Sequence, residues 1–226
     1  MTLHTRMRWI TGTLVLAALL AAQPALADLA PILNPSFETG DFTSWTTTVP
    51  AGASAAVVTK HTSPNPTDSS EFWDPVWGNH FALLKTDGGG SVTRLDQTFT
   101  AAAGDIVNFS IFFDGNDSGP ISNNDAGYAR LFPPVGTPIL LYHKDIAAVG
   151  DFGSDGWTYV VHTITTPGEY KLEFTVENFG DNLFDSYVGV DMAPTPEDII
   201  VPVPAAALLG VIGLGMTGWM TRRKHG

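Results

Sequence analysis

The sequence contains no cysteine, and this absence excludes disulfide bonds, thiolate metal sites and a cysteine nucleophile. Basic residues are also scarce, because 11 Lys and Arg stand against 23 Asp and Glu, a formal net charge of −12. A chain without a basic patch cannot displace counterions from phosphates, so the composition argues against nucleic acid as a partner. Without disulfides, a folded domain must take its stability from its core and from any ion that it binds.

Recognisable catalytic motifs are missing as well. The chain has neither a G-x-S-x-G nor an H-E-x-x-H pattern, and His61, His80, His143 and His162 lie far apart in separate predicted elements. We therefore predict a protein without catalytic activity. Paired carboxylates could still support hydrolysis, so an extracellular polysaccharide hydrolase or lyase remains the alternative.

The first 27 residues have the three regions of a secretory signal peptide. Arg6 and Arg8 form a basic region, residues 10–22 are apolar, and Ala25-Leu26-Ala27 is a small-x-small cleavage site. We expect the mature chain to begin at Asp28 and to be exported through the secretory pathway.

The last 26 residues look like a second sorting signal. The motif Val201-Pro202-Val203-Pro204-Ala205 leads into an apolar run, and residues 199–220 carry no charge, enough for a helix to cross a hydrocarbon core of about 30 Å. The basic residues at 222–224 then favour a cytoplasmic end. We expect a transmembrane helix that anchors the protein before processing, with residues 193–200 as a linker.

This tail resembles the PEP-CTERM class of bacterial signals, in the variant that usually reads Val-Pro-Leu-Pro-Ala. Val203 stands where that variant usually has leucine. The resemblance implies an exosortase-type processing enzyme as a partner and release of the body to the cell envelope, outer surface or extracellular (biofilm) matrix. A plain C-terminal anchor helix is the alternative.

The stretch between the two signals is acidic and is predicted to be all β. Residues 28–198 hold all 23 acidic residues and only six of the basic ones, a net charge of −17. Short runs of β-branched and aromatic residues alternate with turn signals about every 8 to 12 residues. Strands are predicted at 30–33, 44–49, 55–60, 81–85, 91–99, 105–113, 127–132, 139–143, 158–165, 170–177 and 186–191.

So many short strands predict one antiparallel two-sheet jelly-roll sandwich over residues 28–192. Within it, residues 157–165 and 169–178 are predicted to pair as a hairpin, because both alternate with period two around the turn Thr166-Pro167-Gly168.

Residues 34–45 read Asn-Pro-Ser-Phe-Glu-Thr-Gly-Asp-Phe-Thr-Ser-Trp. This segment resembles the opening of galactose-binding-like jelly rolls and related carbohydrate-binding modules, and residues 95–105 and 180–191 resemble later parts of the same scheme. The resemblance implies that Glu38 and Asp191 jointly hold a structural calcium ion. Met192 follows Asp191 where these proteins usually have another acid or amide, which removes one potential ligand. A turn-capping role is the alternative for Glu38.

A second acidic constellation spans residues 114–119 and 123–125, with Asp181, Asn182 and Asp185 as possible partners across from it. Asp, Asn and Ser with interleaved glycine supply the hard oxygens that calcium needs, and they also suit any polar turn. Asp125 and Asp185 are the metal-ligand candidates from this group.

The aromatic segment 71–80 supplies the candidates for glycan binding. Phe72, Trp73 and Trp77 offer flat apolar ring faces, and Asp74, Asn79 and His80 could orient hydroxyl groups, the mixture that a small polar ligand needs. The same aromatic loop could instead cover one end of the sandwich. The sequence thus predicts an exported surface or matrix protein that binds calcium and an extracellular polysaccharide.

Overall fold

The computed structural model describes residues 28–66, 70–119, 122–181 and 183–193. These residues form twelve strands and one short helix, α1 (Ile146–Val149). The strands are β1 (Thr46–Thr48), β2 (Ser54–Val58), β3 (His61–Thr62), β4 (Phe72–Trp73), β5 (Phe81–Lys85), β6 (Val92–Ala101), β7 (Ile106–Asp114), β8 (Ala126–Phe132), β9 (Ile139–Asp145), β10 (Thr158–Thr163), β11 (Gly168–Glu177) and β12 (Tyr187–Asp191).

Two five-stranded antiparallel sheets pack face to face. The first sheet has the order β10-β7-β12-β5-β2, the second has the order β1-β6-β11-β8-β9, and β3 and β4 form a separate two-stranded pair. The main core lies between the sheets and includes Leu95, Phe109, Phe113, Leu131 and Phe174. The predicted all-β sandwich of two antiparallel sheets is therefore confirmed.

Most predicted strands are present, because period-two alternation marks a strand with one buried face. On β6, for example, Thr93, Leu95, Gln97 and Phe99 are buried and the intervening side chains are more exposed. The predicted strand at 30–33 is wrong, since only the preceding Leu29 makes an isolated bridge, to Ile106. The short pair β3–β4 and helix α1 had no detectable period in the sequence.

The predicted hairpin between residues 157–165 and 169–178 is also wrong. Strand β10 pairs with β7 in the first sheet, whereas β11 pairs with β6 and β8 in the second. The turn at 166–167 therefore carries the chain from one sheet to the other. Alternation identifies the buried face of each strand, but it carries no information about which strand lies alongside.

A second aromatic layer covers the outer face of the first sheet. Trp73, Phe81 and Phe112 form a separate buried cluster, with Val58, Leu83 and Trp157 packed against it. Because this layer lies on one face of β7 and the main core on the other, all nine residues of β7 are buried. We call the described residues 59–66 and 70–80, which supply β3, β4 and the loop to β5, the covering segment.

The outer face of the second sheet is polar instead. The side chains alternate away from the core on β6, β11, β8 and β9, and we call the following set the polar face: Arg94, Asp96, Tyr128, Arg130, Phe132, His143, Lys171, Glu173, Thr175 and Glu177. Among the described residues, no second strand layer lies over this sheet.

No helix among the described residues is long and apolar enough to cross a membrane. The predicted signal peptide, the sorting motif at 201–205 and nearly all of the predicted linker lie outside the described residues.

Candidate functional site

Glu38 binds the end of the covering segment. Its Oε1 accepts hydrogen bonds from the backbone N–H groups of Asn79 at 2.7 Å and His80 at 2.8 Å. Gly78 makes this approach possible, because it has a φ of +71° and a Cβ there would lie 2.4 Å from the Glu38 carboxyl carbon. His80 Nδ1 lies 3.5 Å from the same Glu38 oxygen. The loop is thereby held to the opening segment of the domain.

Asp191, at the end of β12, binds the middle of the same loop. Its Oδ2 accepts from the N–H groups of Val76 and Trp77, both at 2.8 Å, and its Oδ1 accepts from Met192 at 2.8 Å. Burial raises the pKa of Asp191 to about 7, and the charge of Glu38 raises it further against the opposing effect of the three hydrogen bonds. Glu38 and Asp191 therefore bind N–H groups of the same loop, and their joint role as calcium ligands stays a prediction.

A calcium ion held jointly by Glu38 and Asp191 stays a prediction of the sequence. Two neighbouring carboxylates, one fully buried, repel each other, and a divalent cation would remove that cost. No group of three or more His, Asp or Glu side chains among the described residues is arranged to hold a metal. An ion here would need backbone carbonyl oxygens or water as further ligands.

Asp125 and Asp185 make separate interactions. Asp125 is fully buried, with Oδ1 accepting from the Phe179 N–H and Oδ2 accepting from the Ser186 hydroxyl, both at 2.8 Å. Burial raises the pKa of Asp125 to about 6, and the charges of Asp117 and Asp181 add to the shift. Asp185 instead pairs with Lys85, with Oδ2 2.7 Å from Nζ. Asp125 and Asp185 thus have different partners, and their role as metal ligands stays a prediction.

Trp73 is a core residue of the covering segment. Only 5% of Trp73 is exposed, its ring stacks on that of Phe112 with centroids 4.4 Å apart, and its Nε1 donates to the backbone oxygen of Asp155. Trp77 is partly buried, with its ring 5.8 Å from that of Tyr159. These positions match the alternative in which the aromatic loop covers the sandwich, because Trp73 has no ring face open to a ligand here.

On the polar face, ion pairs surround Glu173, whose side chain is nearly fully buried. Lys171 Nζ donates to Glu173 Oε2 at 2.7 Å, and Arg94 Nε lies 3.2 Å from the same oxygen without hydrogen-bond alignment. Asp96 lies directly across from Glu173 on β6. Burial, together with the charge of Glu173, raises the pKa of Asp96. The middle of this face is thus a charged network rather than an apolar surface.

Tyr128 stands between two other polar-face side chains. The guanidinium carbon of Arg130 lies 3.8 Å from the centroid of the Tyr128 ring, and the ring of His143 stacks at 4.6 Å. Arg130 also donates to the Thr175 hydroxyl at 3.2 Å and lies 3.4 Å from Glu177 Oε1. These contacts fix the orientation of Tyr128 at the edge of a pocket.

This pocket, of about 450 Å³, lies at one end of the polar face. Its lining residues are Gly90, Val92, Asn124, Ala126, Tyr128, Glu177, Asn178 and Phe179. Phe179 is 60% exposed, and both polar atoms of the Asn178 side-chain amide are buried without a hydrogen-bond partner. An open aromatic ring therefore lies beside the Glu177 carboxylate, which is partly exposed and can bind hydroxyl groups.

Sequence reasoning missed this pocket, although a signal for it was present. Lys171, Glu173, Thr175 and Glu177 are the outward positions of the correctly predicted strand β11, and Asn178-Phe179 follows them directly. When four successive outward-facing positions of a central strand are all polar, that side of the sheet is expected to be uncovered.

No family model and no curated protein matches the sequence. Solved structures superpose on part of the fold. A family 61 carbohydrate-binding module in complex with β-1,4-galactotriose has a TM-score of 0.46 and 17% identity, covering 72% of this chain and 94% of that module. The C-terminal family 22 carbohydrate-binding module of Clostridium thermocellum Xyn10B has a TM-score of 0.33 and 14% identity, with 71% and 93% covered.

The enzymatically active domain of tailspike protein 4 from bacteriophage CBA120 has a TM-score of 0.41 and 12% identity, covering 73% of this chain and 22% of that one. All three superpositions are partial. The function of this chain therefore has to be inferred from its own side chains.

Proposed function

We propose that this chain is a non-catalytic, glycan-binding β-sandwich module that acts at the cell surface or in an extracellular matrix. The observation that carries this proposal is the pocket at the end of the polar face. An exposed aromatic ring, Phe179, can stack on the apolar face of a sugar, while the partly exposed Glu177 carboxylate can bind its hydroxyl groups.

The charge of the site favours a neutral sugar. Glu177 contributes a carboxylate to the pocket, and the body of the chain carries a net charge of −17. An acidic polysaccharide would be repelled unless a divalent ion bridged the two surfaces. A neutral glycan needs no such bridge, so it is the expected ligand.

Binding to a panel of neutral galactans, xylans and glucans by affinity gel electrophoresis tests this proposal. Phe179→Ala should weaken retention by about tenfold or more, since about 1.4 kcal/mol of stacking corresponds to a factor of ten. Phe72→Ala is the matched control, because Phe72 is also exposed, at 54%, but lies on the covering segment. Equal losses in both variants, or no binding by the native chain to any glycan of the panel, would contradict the pocket assignment.

A structural calcium at Glu38 and Asp191 is a separate part of the proposal. It is supported by the two close carboxylates that hold one loop from opposite ends of the chain. Calcium at about 100 times its dissociation constant should add about 2.7 kcal/mol to the free energy of unfolding. Asp191→Asn should lose most of this gain, and an unchanged melting curve after addition of a chelator would exclude the ion.

Export and sorting complete the proposal. The terminal signals at 1–27 and 201–226 support secretion followed by processing by an exosortase-type enzyme. Intact-mass measurement of exported protein should give a chain that begins at Asp28 and lacks the segment after about residue 204. A species at the outer surface that retains residues 222–226 would contradict the processing.

A polysaccharide hydrolase or lyase is the second candidate, and one observation favours it. Asp96 and Glu173 lie directly opposite each other on the uncovered polar face, so their Cβ atoms should be about 4.5 to 5.5 Å apart. Glu173 is held by two cations, whereas the pKa of Asp96 is raised, which is the asymmetry that a general acid and its partner need. Release of reducing ends that Asp96→Asn abolishes would establish this activity.

A further inference from the structure

The first and last described residues lie at the same end of the sandwich. Leu29 bridges to Ile106 at the start of β7, and the Ala193 N–H donates to Asn108 Oδ1 at 3.0 Å on the same strand. Four residues join β6 to β7 at this end, and four join β10 to β11. We call it the exit end, made of residues 28–29, 101–106, 132–139, 163–169 and 192–193.

The hairpin between β8 and β9, residues 133–138, belongs to the exit end. A Cβ on Gly168, the first residue of β11, would lie 2.8 Å from Pro134 Cγ, so the hairpin packs directly on the connection from β10 to β11. Val135 in the hairpin is 86% exposed, and Leu140 at the start of β9 is 58% exposed. The end at which the chain leaves the domain therefore presents open apolar side chains.

Charge separates the exit end from the pocket end. The exit end carries three charged residues, Asp28, Asp105 and Glu169. The pocket end, residues 86–92, 114–119, 122–126, 145–155, 177–181 and 183–186, carries ten acidic residues and no Lys or Arg: Asp87, Asp114, Asp117, Asp125, Asp145, Asp151, Asp155, Glu177, Asp181 and Asp185. Lys85 and Lys144 lie next to the pocket end and leave it strongly acidic. A surface of anionic headgroups and apolar chains repels such an end and accepts the exit end at less cost.

The sequence after Ala193 limits how far the exit end can lie from an anchor. Residues 199–220 carry no charge and are long enough to cross a bilayer, and only residues 194–198 separate them from Ala193. Fully extended, this link reaches at most about 20 Å. Strand β11 has ten residues and runs from the exit end to the pocket, a length of about 30 Å. An anchored domain therefore cannot turn its pocket end down onto the bilayer.

We propose that, in the anchored chain, the exit end lies on the lipid bilayer, with Val135 touching the headgroup region and the pocket held about 30 Å above the surface. Val135 and Leu140 offer too little apolar area to bind a bilayer alone, so the contact depends on the short tether, which keeps the local lipid concentration high. The inference rests on the anchoring part of the proposed function and not on glycan binding. The pocket then faces outward, towards a polymer outside the cell.

The absence of cysteine allows a direct test, because one introduced cysteine carries a dye at one chosen position. Val135→Cys labels the exit end, and Ala147→Cys is the matched control, since Ala147 is also exposed but lies in α1 beside the pocket end. The full chain is anchored, with its domain outside, in vesicles of phosphatidylcholine and phosphatidylglycerol that contain an acceptor-labelled lipid. Energy transfer to this lipid should be several-fold greater from residue 135 than from residue 147.

An environment-sensitive dye supplies the second measurement. Its emission should move to shorter wavelength on anchoring when it is attached at residue 135, and should not move at residue 147. Thr137→Cys, at another exposed position of the same hairpin, should behave like Val135→Cys and replaces it if that variant does not fold.

Equal transfer from the two ends, or greater transfer from residue 147, would overturn the proposed orientation. An unchanged emission at both hairpin positions in the anchored chain would overturn the contact with lipid. Failure of the full chain to float with the vesicles would overturn the proposed anchor and this inference together. Failure of the chain to bind any glycan would overturn the pocket assignment alone and leave the orientation standing.

Discussion

The two outer faces of this sandwich show how similar strands can serve different purposes. The outer face of the first sheet is aromatic and lies under the covering segment, so Phe112 and Trp73 stack as core residues. The outer face of the second sheet carries alternating acids, bases and tyrosine, and among the described residues it has no second strand layer. A covered face contributes stability, whereas an open polar face with a pocket is available to a ligand.

The difference depends on how the covering segment is held down. Backbone N–H groups of its loop are bound by Glu38 from the opening segment and by Asp191 from β12. On the other side, the loop after β11 is bound by Asp125 and leaves Phe179 exposed at the pocket. Buried carboxylates therefore position a loop at each face, but only the loop of the covering segment covers the sheet beneath it.

Removal of Trp73 should have the largest effect. Trp73→Ala deletes a buried ring that contacts Phe112 and His61, and we expect a loss of about 3–5 kcal/mol in the free energy of unfolding. Tyr128→Ala on the polar face should cost far less, about 1 kcal/mol. Urea denaturation of both variants measures the difference. A small loss in the free energy of unfolding for Trp73→Ala would mean that its ring is not a core residue and is again a candidate for ligand binding.

The carboxylates that position the two loops should make stability depend on pH. The pKa is about 6 for Asp125 and about 7 for Asp191, above their ordinary values near 3.8, so the folded chain binds more protons than the unfolded chain between those limits. The free energy of unfolding should therefore fall as pH rises from about 4 to about 7 in the presence of chelator. The two shifts are about 2 and 3 pKa units, and at about 1.4 kcal/mol per unit they set an upper limit of about 7 kcal/mol on this change.

Denaturation at several pH values with chelator checks this prediction. Asp125→Asn should flatten the slope near pH 6, and calcium should reduce or reverse it, since the ion stabilises the ionised carboxylates. A free energy of unfolding that rises with pH across this window in chelator would contradict the assignment. Glu38 and Asp41, whose pKa values are lowered, act in the opposite direction only below about pH 4.5.

The ion pairs of the polar face should contribute less. Glu173→Gln leaves Lys171 and Arg94 without their carboxylate, but both cations are about one-third exposed. We expect a loss of about 1 kcal/mol that shrinks at high salt, because exposed ion pairs are screened. Thermal denaturation at 0.05 and 1 M salt measures it. A loss as large as that of Trp73→Ala would show that the polar face is a second core rather than an open surface.

Phe179→Ala should have the smallest effect on stability. The ring is mostly exposed, so its removal should change the free energy of unfolding by no more than about 0.5 kcal/mol, even though it should remove glycan binding. Loss of binding together with loss of folding would mean that Phe179 holds its loop in place instead of contacting a ligand.

The sequence predicted the strands well because alternation records burial residue by residue. Strand β5 matches its predicted bounds of 81–85, and β7, β8 and β11 match within one or two residues. The pairing of β10 with β11 failed because partner choice depends on contacts between residues far apart in the chain. The sequence could not show that the Trp73 ring is buried, because its strand of two residues is too short to display an alternating pattern.

The candidate sites were predicted only in part, because they too depend on contacts between residues far apart in the chain. A family resemblance implied that Glu38 and Asp191 hold one calcium ion. In the structure both bind N–H groups of one loop, and the ion stays a prediction. Asp125 and Asp185 lie in sequence segments of similar composition, but their side chains bind different partners, Phe179 and Lys85. The pocket at Asn178 and Phe179 depends on the tertiary arrangement of β6, β8 and β11 at one end of the second sheet.

Chemical-shift mapping of the ¹⁵N-labelled protein with a neutral oligosaccharide tests the contrast between the two faces most directly. We expect shifts for the amides of Gly90, Glu177, Asn178 and Phe179, with the amides of Trp77 and His80 unchanged. Shifts confined to Trp77, His80 and the rest of the covering segment would contradict it, because they would place the ligand on the face that this structure shows covered.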